Sequence, residues 1–224
     1  MYSPILSKKY SNFRERLNPV DLFFLNQLPT LVKDKDVLDI GCGNGKFLFE
    51  VECLRPKRLV GIDNSETMID LAIKEARLRN SDATLEVMDA EDWNFQGDTF
   101  DIIVSTFTIH HFVDITNFFR SVSNVLRPRG LFMATFNTFD VTDTDLLAKK
   151  VLLDLRSGEH LVTVSNTIRL DEEYRDASIG AGLSEITYCD IPNPVPTISS
   201  KNIFDTSGIR KLNNIFAVFE ELEN

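Results

Sequence analysis

An acid followed by three alternating glycines offers the clearest chemistry in this sequence. Asp39 comes two residues before Gly41, and Gly43 and Gly45 follow at alternate positions. Glycines permit positive φ angles and lack the Cβ that would hold a ligand away from the backbone. A carboxylate beside such a turn would repel a pyrophosphate, whereas it would attract a cation. The pattern therefore predicts a binding site for a nucleotide-like ligand that carries positive charge.

The segments on either side explain how these residues would be positioned. Residues 37–40 form a short apolar strand before the turn, and residues 47–54 form an apolar helix after it. The N-terminus of that helix offers unpaired N–H groups and the positive end of the helix dipole. A dinucleotide fingerprint has the spacing Gly-x-Gly-x-x-Gly. The spacing here is Gly-x-Gly-x-Gly, which argues against a nicotinamide-dependent oxidoreductase.

The motif resembles the first motif of the class I S-adenosylmethionine-dependent methyltransferases, which reads Asp/Glu-x-Gly-x-Gly-x-Gly after an apolar strand. The cofactor of that family has an ammonium group, a positive sulfur and no phosphate, in agreement with an acid at Asp39. The resemblance, to methyltransferase domains of type 11/25, covers residues 36–136 by motif and the remainder only by the order of elements. It implies methyl transfer from S-adenosyl-L-methionine, with S-adenosyl-L-homocysteine as the product.

The same resemblance implies an α/β fold. The expected architecture is a Rossmann-like, doubly wound, seven-stranded sheet that is mostly parallel, with strand order 3-2-1-4-5-7-6. Strand seven would be antiparallel, and helices at the N-terminus would cover the cofactor mouth. We expect one methyltransferase domain over residues 1–224, divided into an N-terminal helical cover, a cofactor-binding core, a variable substrate-side segment and two final strands: 1–35, 36–136, 137–182 and 183–224.

A further acid follows the second apolar strand, residues 58–62. Asp63 comes 18 residues after Gly45. That interval fits one helix and a return strand, so the two strand ends would meet at one edge of a parallel sheet. An acid at this tip can accept two hydrogen bonds from ribose hydroxyls. Asp63 therefore supports an adenosine-containing ligand, in an NAD-binding fold as well as in a methyltransferase.

Further cofactor contacts are implied by the resemblance alone. Asn64 would contact the ribose or the adenine, and Met68 would either pack against the adenine ring or belong to the core. After the third predicted strand, Asp89 would accept from the adenine amino group and the backbone N–H of Ala90 would donate to the ring. Asp92 is an alternative to Asp89, because acids cluster in this segment.

The fourth predicted strand, residues 98–105, leads into a loop that contains two of the three histidines. By the resemblance, the backbone of Ser105 or Thr106 would face the methionine amino group. His110 and His111 are the catalytic candidates, because a histidine can take a proton from a hydroxyl or an amine near neutral pH. A structural or cofactor-pocket role is the alternative. Adjacent histidines point apart and no third ligand pattern accompanies them, so no metal is predicted.

The full predicted cofactor site includes the cysteine within the glycine motif. Its members are Asp39, Gly41, Cys42, Gly43, Gly45, Asp63, Asn64, Met68, Asp89, Ala90, Ser105 and Thr106.

The last third of the chain carries fewer signals. The apolar spacing predicts helices over 142–155 and 171–180, irregular chain over 157–167, and strands that begin near residue 183 and cover 215–221.

Three residues are substrate-side candidates. In the family, helices before the core and an insertion after strand five cover the acceptor. Tyr10 lies in the predicted N-terminal helical segment, Asn137 follows the fifth strand, and His160 lies within the predicted insertion.

Composition narrows the possible partners. A net charge of −10 argues against a large nucleic-acid footprint, which requires clustered lysine and arginine. Three scattered cysteines indicate a reducing compartment. No run of 18 or more apolar residues occurs, and the first nine residues lack a signal-peptide core. We therefore expect a cytoplasmic protein without membrane segments, as a monomer or homodimer.

The acceptor class is narrowed by what the sequence lacks. The fourth strand is not followed by Asn/Asp-Pro-Pro-Tyr/Phe, which is typical of enzymes that methylate amino groups of nucleobases or glutamine, and no Pro-Cys pair occurs. A small-molecule acceptor is therefore favoured. Two alternatives stay open: a methyltransferase that acts on tRNA or protein, aided by the basic segment 8–16, and a non-catalytic cofactor-binding module.

Overall fold

The computed structural model describes residues 17–92, 95, 97, 99–157, 160–192, 197–199, 201–202 and 204–222. These residues form ten strands: β1 (Asp36–Ile40), β2 (Arg58–Asp63), β3 (Thr84–Val87), β4 (Phe100–Thr106), β5 (Leu126–Val141), β6 (Lys150–Ser157), β7 (His160–Thr167), β8 (Leu183–Asp190), β9 (Thr197–Ile198) and β10 (Ile209–Glu221). They also form six α-helices: α1 (Pro19–Leu25), α2 (Pro29–Val32), α3 (Lys46–Glu52), α4 (Glu66–Arg79), α5 (Ile115–Val125) and α6 (Asp171–Gly180).

Seven of the strands form the main sheet. Their order is β3-β2-β1-β4-β5-β10-β8. β10 runs antiparallel to both of its neighbours, whereas the other neighbouring strands are parallel. Because β8 is the sixth and β10 the seventh strand of this sheet, the predicted order 3-2-1-4-5-7-6 is confirmed. The carboxyl ends of the parallel strands lie at one edge, where open α/β sheets bind ligands.

Side chains of alternate strand residues fill two cores, one on each face of the main sheet. In β1, Val37 packs in the core formed with α1 and α3, and Leu38 packs in the core formed with α5 and α6. In β4, Ile102 packs in the first of these cores and Ile103 packs in the second. This alternation follows from the two-residue period of a strand. It explains why the buried strands read as continuous apolar runs.

The described part of the predicted N-terminal cover begins with a capped helix. Asn18 Oδ1 accepts from the backbone N–H of Asp21 at 2.8 Å, and Asp21 Oδ2 accepts from the N–H of Asn18 at 3.1 Å. Pro19 occupies the first turn, where its missing N–H and fixed φ suit a helix. Tyr10 lies outside the described residues.

The prediction for residues 142–167 is wrong. A 3-10 turn at Thr144–Leu146 leads into β6, which pairs antiparallel with β7 and with the short β9 in a second, three-stranded sheet. Neither the helix over 142–155 nor the irregular segment over 157–167 forms. The leucines of this segment satisfy a helical period locally, but pairing with the valine-rich β7 buries alternate residues instead.

The second sheet packs on the ends of β5 and β10. These strands extend beyond their predicted bounds, to Val141 and back to Ile209, and pair with each other over that length. Phe139 and Leu212, from the extended parts, share a third hydrophobic cluster with Leu153 and Val164 of the second sheet. The two strands therefore connect the main sheet to the second sheet through one continuous ribbon.

Candidate functional site

A cavity of about 600 Å³ lies at the carboxyl ends of β1, β2 and β4. The loops after these strands form one side of it, and the β6–β7 hairpin forms the other. Nine of the predicted cofactor and catalytic residues line it: Gly41, Cys42, Gly43, Asp63, Asn64, Met68, Ala90, Thr106 and His111.

The glycine turn between β1 and α3 requires glycine for two reasons. Gly41 has φ +73° and Gly45 has φ +81°, both in the left-handed region. A Cβ on Gly41 would come within 2.1 Å of Thr108 Oγ1, and one on Gly45 would come within 2.5 Å of Phe49 Cε2. A Cβ on Gly43 would meet no atom within 4 Å. Because Gly43 lines the cavity, its bare backbone leaves that space to a ligand.

Asp63 joins the tip of β2 to the glycine turn. Its Oδ2 accepts from the N–H of Gly43 at 3.0 Å, and its Oδ1 accepts from the N–H of Ser65 at 2.8 Å. Burial raises the pKa of Asp63, and these two backbone hydrogen bonds oppose the change. A carboxylate has about four lone-pair positions. Asp63 can therefore hold the turn and still accept hydrogen bonds from a ligand in the cavity.

Asp39 is a fully buried acid beneath the turn. Neither of its carboxylate oxygens accepts a hydrogen bond from any described residue. Burial, and then the neighbouring charges of Asp63 and Asp21, raise the pKa of Asp39 to about 8. Asp39 itself does not line the cavity. An unpaired acid among other acids fits a positively charged ligand and does not fit a phosphate.

The two adjacent histidines have different surroundings. His110 is buried, and its Nδ1 accepts from the N–H of Asn137 at 3.2 Å, so its proton is on Nε2. His111 lines the cavity, and its Nδ1 lies 2.7 Å from the carbonyl oxygen of Ser165, which can only accept. Nδ1 of His111 is therefore the protonated nitrogen. Burial lowers the pKa of His111 to about 4, so its Nε2 holds a lone pair at neutral pH.

Three predicted cofactor residues do not line the cavity, in addition to Asp39. Ser105 is buried, and its Oγ donates to the carbonyl of Ile40 at 3.0 Å, which joins β4 to β1. Asp89 is exposed, and its Oδ1 accepts from the N–H of Glu91 at 3.0 Å. Gly45 is the N-cap of α3. The cofactor roles of these residues stay predictions.

Asn137, one of the substrate-side candidates, lies outside the cavity lining. Asn137 is buried in an asparagine network: its Nδ2 donates to Asn214 Oδ1 at 3.0 Å, and its Oδ1 accepts from Asn166 Nδ2 at 2.9 Å. His160 begins β7 opposite Ser157. The direct contribution of either residue to acceptor binding stays a prediction.

The cavity also contains residues that the sequence did not single out. Four come from the β6–β7 hairpin: Lys150, Leu152, Thr163 and Ser165. Others flank the predicted loops, among them Lys46, Glu91, Phe107, Thr108 and Phe112. The flanking residues lie next to strand ends that the sequence predicts, so they could have been predicted as part of the site. The hairpin residues could be found only after their segment was recognised as paired strands.

Two negative findings apply to the described ranges. They contain no group of three or more His, Cys, Asp or Glu side chains arranged to hold a metal ion. No helix within them is both long enough and apolar enough to cross a bilayer.

Comparisons with known proteins agree with this geometry. Residues 37–130 match the sequence profile of the methyltransferase domain family. The chain is 31% identical, over 134 residues, to a Bartonella tribocorum protein named ubiquinone biosynthesis O-methyltransferase, and the match covers 54% of each chain. The chain therefore spans about half the length of the curated relatives it matches.

Solved structures resemble the chain over nearly its whole length. An S-adenosylmethionine-dependent methyltransferase from Clostridium acetobutylicum has a TM-score of 0.65 at 18% identity, covering 95% of this chain and 96% of that one. The CcbJ methyltransferase from Streptomyces caelestis has a TM-score of 0.72 at 12% identity, covering 99% and 100%. At these identities the likeness establishes the fold. The sequence match to the methyltransferase domain family covers residues 37–130, the part of this fold that contains the glycine turn and Asp63.

Proposed function

We propose that this chain transfers a methyl group from S-adenosyl-L-methionine to a small-molecule acceptor and releases S-adenosyl-L-homocysteine. The main support is that one cavity joins the glycine turn and Asp63 on one side to His111 and the β6–β7 hairpin on the other. The cavity therefore has room for a cofactor next to residues from a separate structural unit. Such an arrangement suits the alignment of two reactants.

The residues of the main sheet fit the cofactor. S-adenosylmethionine, when bound, would supply a methyl group attached to a positively charged sulfur. Transfer of that methyl group leaves the sulfur as a neutral thioether. The bare backbone at Gly43 leaves room beside the turn, and Asp63 would accept from the ribose hydroxyls. The unpaired acid Asp39 supplies negative potential toward a cationic ligand. Ala90, Asn64 and Met68 would surround the adenine; all three line the cavity.

The residues at the other end of the cavity suit an acceptor. Nε2 of His111 would take the proton of an acceptor hydroxyl or amine, because Nδ1 already donates to Ser165. The apolar side chains of Phe107, Phe112 and Leu152 also line the cavity and would exclude water. Because the leaving group departs neutral, orientation and proton removal are the tasks left to the protein.

The small-molecule class of acceptor is carried over from the relatives. The Bartonella tribocorum relative is named as an O-methyltransferase of ubiquinone biosynthesis. The acidic composition of this chain agrees with an acceptor that is not a nucleic acid. The cytoplasmic location and the monomeric or homodimeric state stay predictions.

Calorimetric titration tests the proposal directly. We would titrate the protein with S-adenosylmethionine, S-adenosylhomocysteine and NAD, and repeat each titration with Asp63→Ala. Asp70→Ala is the matched control, since Asp70 is an exposed acid on the neighbouring helix α4. We expect micromolar binding of both sulfur ligands, loss of that binding in Asp63→Ala only, and no binding of NAD. Absence of binding by either sulfur ligand, or tighter binding of NAD, would overturn the proposal.

A further inference from the structure

Lys150, the first residue of β6, brings a positive charge into the wall of the cavity beside His111. Its Nζ donates to the backbone carbonyl of His111 at 2.8 Å and to Thr167 Oγ1 at 2.7 Å. An ammonium group has three N–H donors. The third makes no hydrogen bond to a described residue. Two of the three directions are therefore fixed, and the third donor remains for a ligand.

A second cation lies behind the same wall. Arg169 is 4% exposed, and its Nη2 donates to the carbonyls of Phe112 at 2.8 Å and Val113 at 2.7 Å. Neither Lys150 nor Arg169 forms an ion pair with any residue in the described ranges. Burial lowers the pKa of Lys150, and the charge of Arg169 lowers it further. Within the described part of the chain, this corner of the cavity therefore has two cations and no ion pair.

The carboxylates near this corner accept hydrogen bonds from other groups of the protein. Glu91 Oε1 accepts from the backbone N–H groups of Val113 at 2.7 Å and Asp114 at 3.0 Å. Asp154, on the same strand as Lys150, accepts from Thr163 Oγ1 at 2.7 Å and does not line the cavity. The charge of Glu91 acts on Lys150 and raises its pKa, but neither carboxylate forms an ion pair with Lys150, so the ammonium group can still contact a ligand anion.

On the basis of the proposed function, we propose that Lys150 binds a carboxylate of the methyl acceptor. The acceptor is then a small acid whose hydroxyl or amino group faces His111 while its carboxylate faces Lys150. A lysine ammonium is a compact point charge with a free donor, and its attraction for an anion is stronger in a partly buried site than in water. A singly charged carboxylate is favoured over a phosphate dianion, because the acids Asp63 and Glu91 line the same cavity.

Matched pairs of acids and amides test this assignment. The probes are salicylate, 3-hydroxybenzoate and 4-hydroxybenzoate, each beside its neutral primary amide, titrated into the complex with S-adenosylhomocysteine. We compare the wild type with Lys150→Met and with Lys149→Met. Lys149 is the adjacent lysine, its Nζ lies 5.7 Å from the centre of the Phe204 ring, and it does not line the cavity. We expect at least one acid to bind tenfold or more tightly than its amide, with that preference lost only in Lys150→Met.

The ratio of acid to amide affinity separates charge recognition from a structural role. If Lys150 served only to hold the backbone of His111, its removal would weaken the acid and the amide equally. An unchanged preference in Lys150→Met, or a preference for the amides in the wild type, would overturn the proposal. Lys150→Arg keeps the charge and is expected to retain most of the preference for the acid.

A second measurement decides the case in which no probe pair fits the cavity. The Nζ signal of Lys150 can be assigned by NMR from its absence in Lys150→Met and followed in the presence of benzoate or acetate. We expect the anion to shift this signal and to raise the pKa of Lys150, with Lys149 unaffected. No response of Lys150 to either anion would refute carboxylate binding. If S-adenosylhomocysteine binds but Lys150 does not respond, only this inference fails, whereas absence of cofactor binding refutes the methyltransferase proposal.

Discussion

At the scale of single residues, Asp39 is a fully buried acid whose charged form is costly. A carboxyl group that is fully buried without a hydrogen-bond donor is disfavoured in its charged form. The raised pKa, about 8, means that much of the population is protonated at neutral pH in the absence of ligand. A cationic ligand reverses that preference. Asp39 would therefore destabilise the ligand-free protein and stabilise a complex with a cationic ligand.

Asp39→Asn should make the ligand-free protein more stable at alkaline pH. Because the folded-state pKa of Asp39 lies above its unfolded value, its contribution is fully present below about pH 4 and is lost as the pH rises through about 8. Urea unfolding between pH 5 and pH 9 should show a flatter profile for the variant, with a gain on the order of 3 kcal/mol at pH 9.

The control for this prediction is Asp70→Asn, an exposed acid whose replacement should leave the pH profile unchanged. The affinity of Asp39→Asn for S-adenosylmethionine should fall while its stability rises. A variant that lost stability across the whole pH range would contradict the account of Asp39 as an unpaired acid.

His111→Asn separates proton removal from structure. The asparagine amide can still donate to the carbonyl of Ser165, but it lacks the basic Nε2. Turnover with an acceptor hydroxyl should fall by roughly 10²–10⁴-fold, while the affinity for S-adenosylhomocysteine changes little. Single-turnover rates and calorimetry measure the two quantities. Equal losses in both would indicate that His111 serves the cofactor pocket instead.

At the scale of elements, the sequence predicted the parts whose signals are local. The turn from β1 to α3 requires glycines at Gly41 and Gly45 for steric reasons, and Asp63 follows an apolar strand at a fixed interval. These features predicted residues that line one side of the cavity. The contact of Gly45 with Phe49 and the interval from Gly45 to Asp63 join residues that are near one another in the chain, whereas the contact of Gly41 with Thr108 does not.

The β6–β7 hairpin was missed because its signal is not local. Val151 and Leu153 are buried only through pairing with β7 and packing on the ribbon of β5 and β10. In isolation their segment satisfies a helical period just as well. The hairpin brings Lys150 and Ser165, among other residues, to the cavity. Local sequence patterns could therefore not predict that these residues line it.

The packing of this hairpin can be tested with Leu153→Ala. Leu153 is fully buried in the third hydrophobic cluster, so truncation should cost about 2–5 kcal/mol of unfolding free energy. Leu161→Ala is the control, because Leu161 is 48% exposed on the partner strand, and it should cost less than about 1 kcal/mol. Urea unfolding compares the two. Similar costs would contradict the pairing and burial described for β6.

At the scale of the whole molecule, sequence similarity and structural similarity cover different parts of the chain. The domain profile ends at residue 130, and the curated relatives match about half of the chain. The solved structures, at 12–18% identity, match nearly all of it. The half that holds the glycine turn is thus the half with detectable sequence relatives. The second half shares the fold without detectable sequence similarity. Its contacts with the cavity could therefore not be predicted from related sequences.

Cofactor binding should stabilise the whole chain. A ligand that binds only the folded state at a hundred times its dissociation constant adds about 2.7 kcal/mol. For a chain of this length, S-adenosylhomocysteine should then raise the Tm by about 5–10 °C. Differential scanning fluorimetry measures the shift. NAD should give none, and an equal rise in Asp63→Ala would place the ligand away from the glycine turn.

The hairpin leaves and rejoins the main sheet at nearly one point. The backbone N–H of Phe139 donates to the carbonyl of Arg169 at 2.9 Å, so the segment between them begins and ends at adjacent positions. A segment with joined ends can be exchanged for one of another length at little cost in loop-closure entropy. Transplanting the corresponding hairpin from a different methyltransferase should therefore yield a chimera that keeps its cofactor and changes its acceptor. On the proposed function, the β6–β7 hairpin would be a replaceable determinant of acceptor specificity.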